Sequence, residues 1–402
     1  MSEPARAKWG LPEEVIYCKR CVESNQRMMG SIQHADTKDS KKDTTIFDEE
    51  GVCSACLYFD QKKKIDWNER EQQLKDLCDQ FRKKDGTYDV LVPGSGGKDS
   101  VFASHVLKHK YGMNPLTVTW APHMYTDIGW KNFQAWIRAG FDNILFTPNG
   151  KVHAKLTRLA FENLLHPFQP FVLGQYYLAP RMAIERNIKL IFYADSSAER
   201  GTGKNVKMSG NQFDPRLYSI EKGQKPFIAG LLPEELAEHG VFQHDLAPYW
   251  PLDREVLEKA DIAIHMLPYY INYDPQKMYY YAIEHSGFQP NPDGRSEGTY
   301  TKYSSLDDKV DGFHYFTWFI KTGRARATED ASLEIRNGHI TREEGVALVR
   351  RFDGEFPKKY FKDFLDYTGL TEERFWDLIN KGRSPHLWER VGGKWVLKHQ
   401  VS

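Results

Sequence analysis

The spacing of apolar positions changes several times along the chain, and each change marks an element. Residues 66–84 carry Trp67, Leu74, Leu77, Cys78 and Phe81 at helical spacing and end in a basic run, which predicts an amphipathic linker helix. From residue 88 short apolar runs alternate with helical stretches. YDVLVPG reads as a strand, KDSVFASHVLKHKYG as a helix, PLTVTWAP (115–122) as a buried strand and GWKNFQAWIRAG (129–140) as a helix. A strand at NILFTP (143–148), helices over 152–165 and 175–187, and a strand at IKLIFYAD (188–195) continue the series. This alternation predicts an α/β fold with a doubly wound parallel sheet, whose ligands bind at the carboxyl ends of the strands. The stretch 216–402 reads as mostly helical, with Thr341 and Glu344 as a capping box ahead of Val346, Leu348 and Val349. Three parts follow: 1–65, 66–215 with the linker helix, and 216–402.

Composition narrows the class. The 402 residues are 40% apolar and 27% charged, and 55 basic residues balance 55 acidic ones, which excludes a disordered chain and disfavours a general polyanion binder. No window approaches the ~18 apolar residues of a membrane helix, and the amino end lacks the apolar core of a secretion signal. A soluble, cytoplasmic protein is expected. Four of the five cysteines form two CxxC pairs, Cys18/Cys21 and Cys53/Cys56. In a reducing compartment such pairs point to a metal, and four thiolates suit structural Zn2+ with no open position. Residues 1–65 then form a module that needs its metal to fold. Within it HADTKDSKKDTT (34–45) reads as a solvated excursion and FDEEGVCSAC (47–56) as a short strand and turn. Four unrelated buried thiols are the plain alternative. A redox dithiol is disfavoured because neither pair is expected to open a helix after a strand. Cys78, on the apolar side of its helix, reads as a packed small hydrophobe.

The stretch richest in chemistry is VPGSGGKDS, residues 92–100, between a strand and a helix. Gly94, Gly96 and Gly97 let the backbone approach an anion, and the loop amides with the helix amino terminus make a phosphate cradle. Ser95 and Ser100 add hydroxyl donors, Lys98 a positive charge, and Asp99 a ligand for Mg2+. The alternative is a Gly/Ser-rich turn that binds nothing. Asp99 follows Gly97-Lys98 where a Walker loop has Ser or Thr, and it also replaces the third glycine of a dinucleotide loop, so a kinase and a dehydrogenase are disfavoured. SGGKDS resembles the loop of the N-type ATP pyrophosphatases (PP-loop enzymes). The resemblance implies cleavage of ATP between the α and β phosphates, with adenylylation of a substrate oxygen and displacement of AMP by nitrogen or sulfur.

Residues 79–402 contain no cysteine, which disfavours sulfur transfer, and the neutral charge disfavours RNA. No glutaminase nucleophile is visible, so a separate glutaminase is expected to supply ammonia. The order of the two CxxC pairs, the VPGSGGKDS loop and SSLDDKVDGFHYFTWFIKTGRARATEDASLEIRNGHITREE (304–344) resembles the N-acetyl sugar amidotransferases, from about Cys18 to about residue 385. That family includes proteins of lipopolysaccharide and flagellin-glycan biosynthesis. The resemblance implies conversion of an acetamido group on an activated N-acetylated sugar to an acetamidino group. It also implies a glutaminase and an ammonia-channelling barrel similar to the imidazole glycerol phosphate synthase subunits.

Several residues carry both a functional and a structural reading. With Lys98 and Asp99 as catalytic residues, Asp195 and Glu199 in YADSSAERGTGK (193–204) either orient Mg2+ and take a proton from ammonia or cap a helix. Lys321, Arg324 and Arg326 around Gly323 suit a phosphate or carboxylate of the sugar, or form a solvated helix end. Tyr269, Tyr270, Tyr273 and Asp274 stack on a sugar or pack, and His105 and His109 read as surface or packing residues. The competing functions are an ATP-dependent tRNA-modifying enzyme and a non-catalytic zinc-knuckle scaffold.

Overall fold

The computed structural model describes residues 7–28, 32–195 and 214–402. Its centre is a parallel sheet containing β1 (Val90–Pro93), β2 (Pro115–Trp120), β3 (Asp142–Phe146) and β4 (Leu190–Tyr193). The order is β3-β2-β1-β4, with a fifth strand, Ala263–Met266, parallel to β4 at the far edge. β1 alternates its side chains between the two faces, as the strand period requires. Val90 and Val92 pack with Leu74 and Cys78 of α2 (Trp67–Phe81) and Leu107 of α3 (Lys98–His109). Leu91 packs on the other face with residues of α5 (Gly150–Leu164) and α6 (Gln169–Glu185). β2 is buried along its whole length, the mark of a strand covered on both faces. The doubly wound sheet is therefore present as the sequence pattern predicts.

The sheet does not end at 215. Its fifth strand lies in the stretch read as helical, and the helix Pro275–Ser286 that follows packs on α3. The run AIHM carries a buried histidine whose Nδ1 is 2.8 Å from the Tyr270 hydroxyl, and that polar position hid a four-residue strand from the apolar pattern. The 34–45 stretch also differs from a purely solvated excursion. His34 is buried with Nδ1 2.8 Å from the Tyr177 hydroxyl on α6, and buried Asp36 pairs with Lys42 at 2.8 Å. The second CxxC pair opens α1 (Ser54–Lys62), with Cys53 as its N-cap, after a single antiparallel bridge between Phe47 and Cys53. The expected short strand is thus reduced to one bridge, and the pair does open a helix.

A buried ionic group joins the amino-terminal module to the carboxyl-terminal helices. Glu23 is 1% exposed and accepts from Arg27 and Arg324, each at 2.9 Å, while Arg27 also lies 3.6 Å from Glu329. Such charges are stable in a low-dielectric setting only while paired. Replacing Glu23 with Gln leaves two guanidinium groups undercompensated, and we expect a loss of about 3–5 kcal/mol, measured by denaturant unfolding.

Candidate functional site

β1 lies between β2 and β4, so the chain leaves β1 toward one side of the sheet and later returns on the other. The crevice created by that reversal lies at the carboxyl end of β1, where 94–97 form the loop. The Gly94 amide donates to the Val118 carbonyl at 2.9 Å and ties the loop to β2. Gly96 has φ +85°, and a Cβ there would stand 2.7 Å from the Phe133 Cα, so no other residue fits without moving backbone. Gly97 is the N-cap of α3, whose first amides have no partner within the helix and open toward the loop. The Ser100 hydroxyl donates to the Gly97 carbonyl at 3.0 Å. Lys98 is buried, donates to Asp99 at 2.7 Å and lies 5.1 Å over the Tyr303 ring. Asp99 accepts in addition from the Tyr273 hydroxyl at 3.4 Å. Gly94 through Ser100 thus form one continuous cradle, with the lysine and aspartate at its rim balancing each other.

Facing the cradle is the segment 303–311. Burial raises the Asp307 carboxyl above its ordinary range, and the nearby Ser95 side chain opposes that rise. The Thr126 amide donates to the Asp307 carbonyl at 3.1 Å, and the Thr126 hydroxyl donates to that of Leu306. A Cβ on Gly129 would come within 2.4 Å of the Asp307 Cα, so the segment lies directly on the start of α4 (Asp127–Arg138). Asp308 accepts from the His123 amide at 2.8 Å, and its carboxylate is 2.6 Å from His123 Nδ1. Burial pushes the Asp311 carboxyl up to about 7, with the Arg326 charge and a Ser305 hydrogen bond opposing the rise. Arg326 donates to the Tyr315 hydroxyl and lies 3.2 Å from Asp330. Tyr300 donates to Glu334 at 2.7 Å. A wall of carboxylates, tyrosines and one arginine therefore stands over the loop.

The expected substrate contacts do not converge. Lys321 is buried, with its ammonium 3.2 Å from the Leu164 carbonyl and 5.3 Å over the Trp9 ring. Arg324 is held by Glu23, and of the three only Arg326 belongs to the wall. Asp195 follows β4 and is exposed, while Glu199 lies outside the described residues. Tyr270 packs against Phe192, Tyr269 lies under Arg70, and Tyr273 reaches Asp99. His105 stacks between His109 and His285 and bonds the Tyr281 hydroxyl, a packing role. Asp307 and Asp311 escaped the sequence reading as site residues. The signal available was the dense acidic spacing of SLDDKVDG, which by itself looks like a solvated turn.

The four paired cysteines come together. One sulfur from each lies within 4.8 Å of the others, and all four are buried. Cys18 Sγ accepts amides of Arg20, Cys21 and Cys53 at 3.3 to 3.5 Å. Arg336 donates to Cys21 Sγ at 3.8 Å, and Arg342 to the carbonyls of Cys18 and Cys21 at 3.2 Å. Four soft donors around one point, with N–H groups aimed at sulfur, fit a closed metal site of zinc or iron–sulfur chemistry. Cys78 stands apart in the core, its thiol pushed up to about 12 by burial.

Two outcomes test this geometry. Gly96→Ala should lower Mg-ATP affinity by about tenfold or more in calorimetry without altering the circular dichroism spectrum, because the loop alone must shift. Arg336→Leu should weaken metal retention against a chelator by about 10–100-fold, since it removes a donor to a ligating sulfur.

Residues 297–401 match the family described as LPS biosynthesis protein WbpG-like, C-terminal domain. An uncharacterized protein of Methanocaldococcus jannaschii is 32% identical over 81 residues, which is 20% of this chain and 29% of that protein. The chain thus spans less than a third of that relative's length. Among solved structures, the U34-tRNA thiolase NcsA from Methanococcus maripaludis, with its [4Fe-4S] cluster, aligns at 12% identity and a TM-score of 0.29. That alignment covers 90% of this chain and 95% of that one. NMN synthetase from Francisella tularensis aligns at 13% identity and 0.27, over 62% and 93%. At these scores the fold rests on the strands and loop themselves. The wall over the loop from Tyr300 to Arg326, and the arginines at the cysteine cluster, all fall within the matched region. The carboxyl-terminal part of the chain is therefore similar to the WbpG-like C-terminal domain of a lipopolysaccharide-biosynthesis protein, in line with the resemblance read from the sequence.

Proposed function

We propose that this protein is an ATP-dependent, sugar-modifying enzyme that converts the acetamido group of an activated N-acetylated sugar to an acetamidino group. One observation carries the reading: the loop is walled by the WbpG-like domain, whose Tyr303 ring lies 5.1 Å from the Lys98 ammonium. The acetamido oxygen attacks the α-phosphorus of ATP, pyrophosphate leaves and the amide N–H proton is lost. Ammonia then adds to the activated carbon, AMP departs, and the amidine retains the new nitrogen. Lys98 and the loop amides stabilise the charge growing on pyrophosphate. Mg2+ bound at Asp99 supplies further neutralisation when present. Asp311 takes the proton of the attacking ammonia, since a base works best with a pKa near the working pH. This assigns Asp311 the proton role that the sequence offered to Asp195 and Glu199.

The ammonia comes from a partner. All five cysteines are buried, four at one metal site, so no thiol is exposed to attack glutamine. A glutaminase with an ammonia-channelling barrel is the assembly this reading requires. Zn2+ at the four cysteines has a structural role only.

The test is to incubate the chain with Mg-ATP, ammonium and a panel of nucleotide-linked diacetamido sugars, following AMP and product mass. We expect AMP, pyrophosphate and a mass decrease of about one unit, oxygen exchanged for NH; ADP in place of AMP would overturn the reading. Lys98→Ala should slow AMP formation by about 10²–10³-fold. In the parent, kcat should fall as pH drops through about 7, where Asp311 becomes protonated. That acidic limb should vanish in Asp311→Asn, with the remaining rate about 10²-fold lower.

A further inference from the structure

One face of the helix Asp311–Thr322 runs away from the phosphate loop. Asp311, His314, Tyr315 and Trp318 lie along it, and Lys321 lies at the end of the same stripe. Ten residues at the helical rise place Lys321 roughly 15 Å from Asp311. At that far end a small pocket of about 30 Å³ opens between Trp9, Ser40, Lys42, Leu164, His166 and Lys321, enough for a molecule the size of water or ammonia.

Between pocket and loop stands a row of histidines. His166, 7% exposed, lines the pocket and stacks on His314 at 5.0 Å between ring centres. His314 stacks on Phe168 at 4.9 Å, and Phe168 lies 4.9 Å from His123, the partner of Asp308 beside the loop. His166 Nδ1, His314 Nδ1 and His123 Nε2 are buried without a hydrogen-bond partner among the described residues. Three orphaned ring nitrogens in one row are rare in a folded core and point to a small polar visitor. Burial holds the His314 and His166 rings neutral, lowering His314 to about 3 and His166 well below its ordinary value. Lys321 is lowered to about 7 by burial and by Lys42.

We infer that this row is the passage by which ammonia reaches the phosphate loop, entering at the Lys321 pocket and moving past His166 and His314 to Asp311. The inference rests on the function proposed above. Neutral imidazoles exchange hydrogen bonds with a neutral amine without trapping it as an ion. Lys38 and Lys321 at the pocket disfavour the ammonium cation, while Lys42 there is balanced by Asp36. The pocket mouth is also where a partner releasing ammonia has to dock.

The test uses the full, metal-loaded chain with the sugar of the panel that supports AMP formation. His166→Phe removes the first polar step, and Ser40→Trp plugs the mouth from a part-exposed position with little risk to folding. Two readouts are compared: the KM for ammonium in AMP formation, and sugar-dependent exchange of pyrophosphate into ATP, which needs no ammonia. The expected result is a rise of about tenfold or more in KM for ammonium in both variants, with exchange within about twofold of the parent. An unchanged KM in Ser40→Trp overturns the passage and leaves the proposed function standing. Loss of exchange in both variants also overturns it, by placing these residues at the activation site. If the parent forms no AMP with any sugar, the proposed function fails and the passage with it.

Discussion

Glu23 is the residue on which the arrangement turns. It is a carboxylate with almost no exposure, clasped by Arg27 from its own module and Arg324 from the opposite end of the chain. An ion taken out of water at such depth is tolerated only when its partners are held in place, so the pair demands that residues 23 and 324 stay together. Two residues beyond Arg324 is Arg326, which belongs to the wall over the phosphate loop. The position of that wall is therefore tied to the fold of the cysteine module.

The helix Arg326–Asn337 makes the tie mechanical. Its first half carries Arg326 and Asp330 near the loop, and its last turn carries Glu334, bonded by Tyr300, and Arg336 against Cys21 Sγ. A metal at the cysteines would fix one end of this rod, and the loop contacts fix the other. On the function proposed above, the module would then brace the wall over the loop, with Cys78 packed in the core and the other four thiols gathered in one cluster.

Legibility in the sequence followed the length scale of each interaction. β1, β2, β3, β4 and the helices between them were readable because their periodicity is local and each buries a continuous stripe. The loop was readable because its glycines answer a local constraint, seen at Gly96 with its positive φ against Phe133. The fifth strand was missed because AIHM is short and polar at its third position, and only pairing with β4 makes it a strand. The basic trio at 321–326 was misleading for a related reason. Adjacent positions on a turn leaving a helix point apart, and burial sent Lys321 to Leu164, Arg324 to Glu23 and Arg326 to Asp330.

The chain by itself determined the parallel sheet, the glycine-rich loop at residues 94–100 and the identity of the four clustered thiols. All of these rest on contacts between neighbours in sequence or on chemistry that a few residue types restrict. Only the tertiary structure decided what faces the cradle. Lys98 meets Tyr303, and Cys21 meets Arg336, across more than two hundred residues of chain. Which of many carboxylates and arginines lands at such a place is settled by packing and by the cost of burying an unpaired charge, and neither leaves a local pattern.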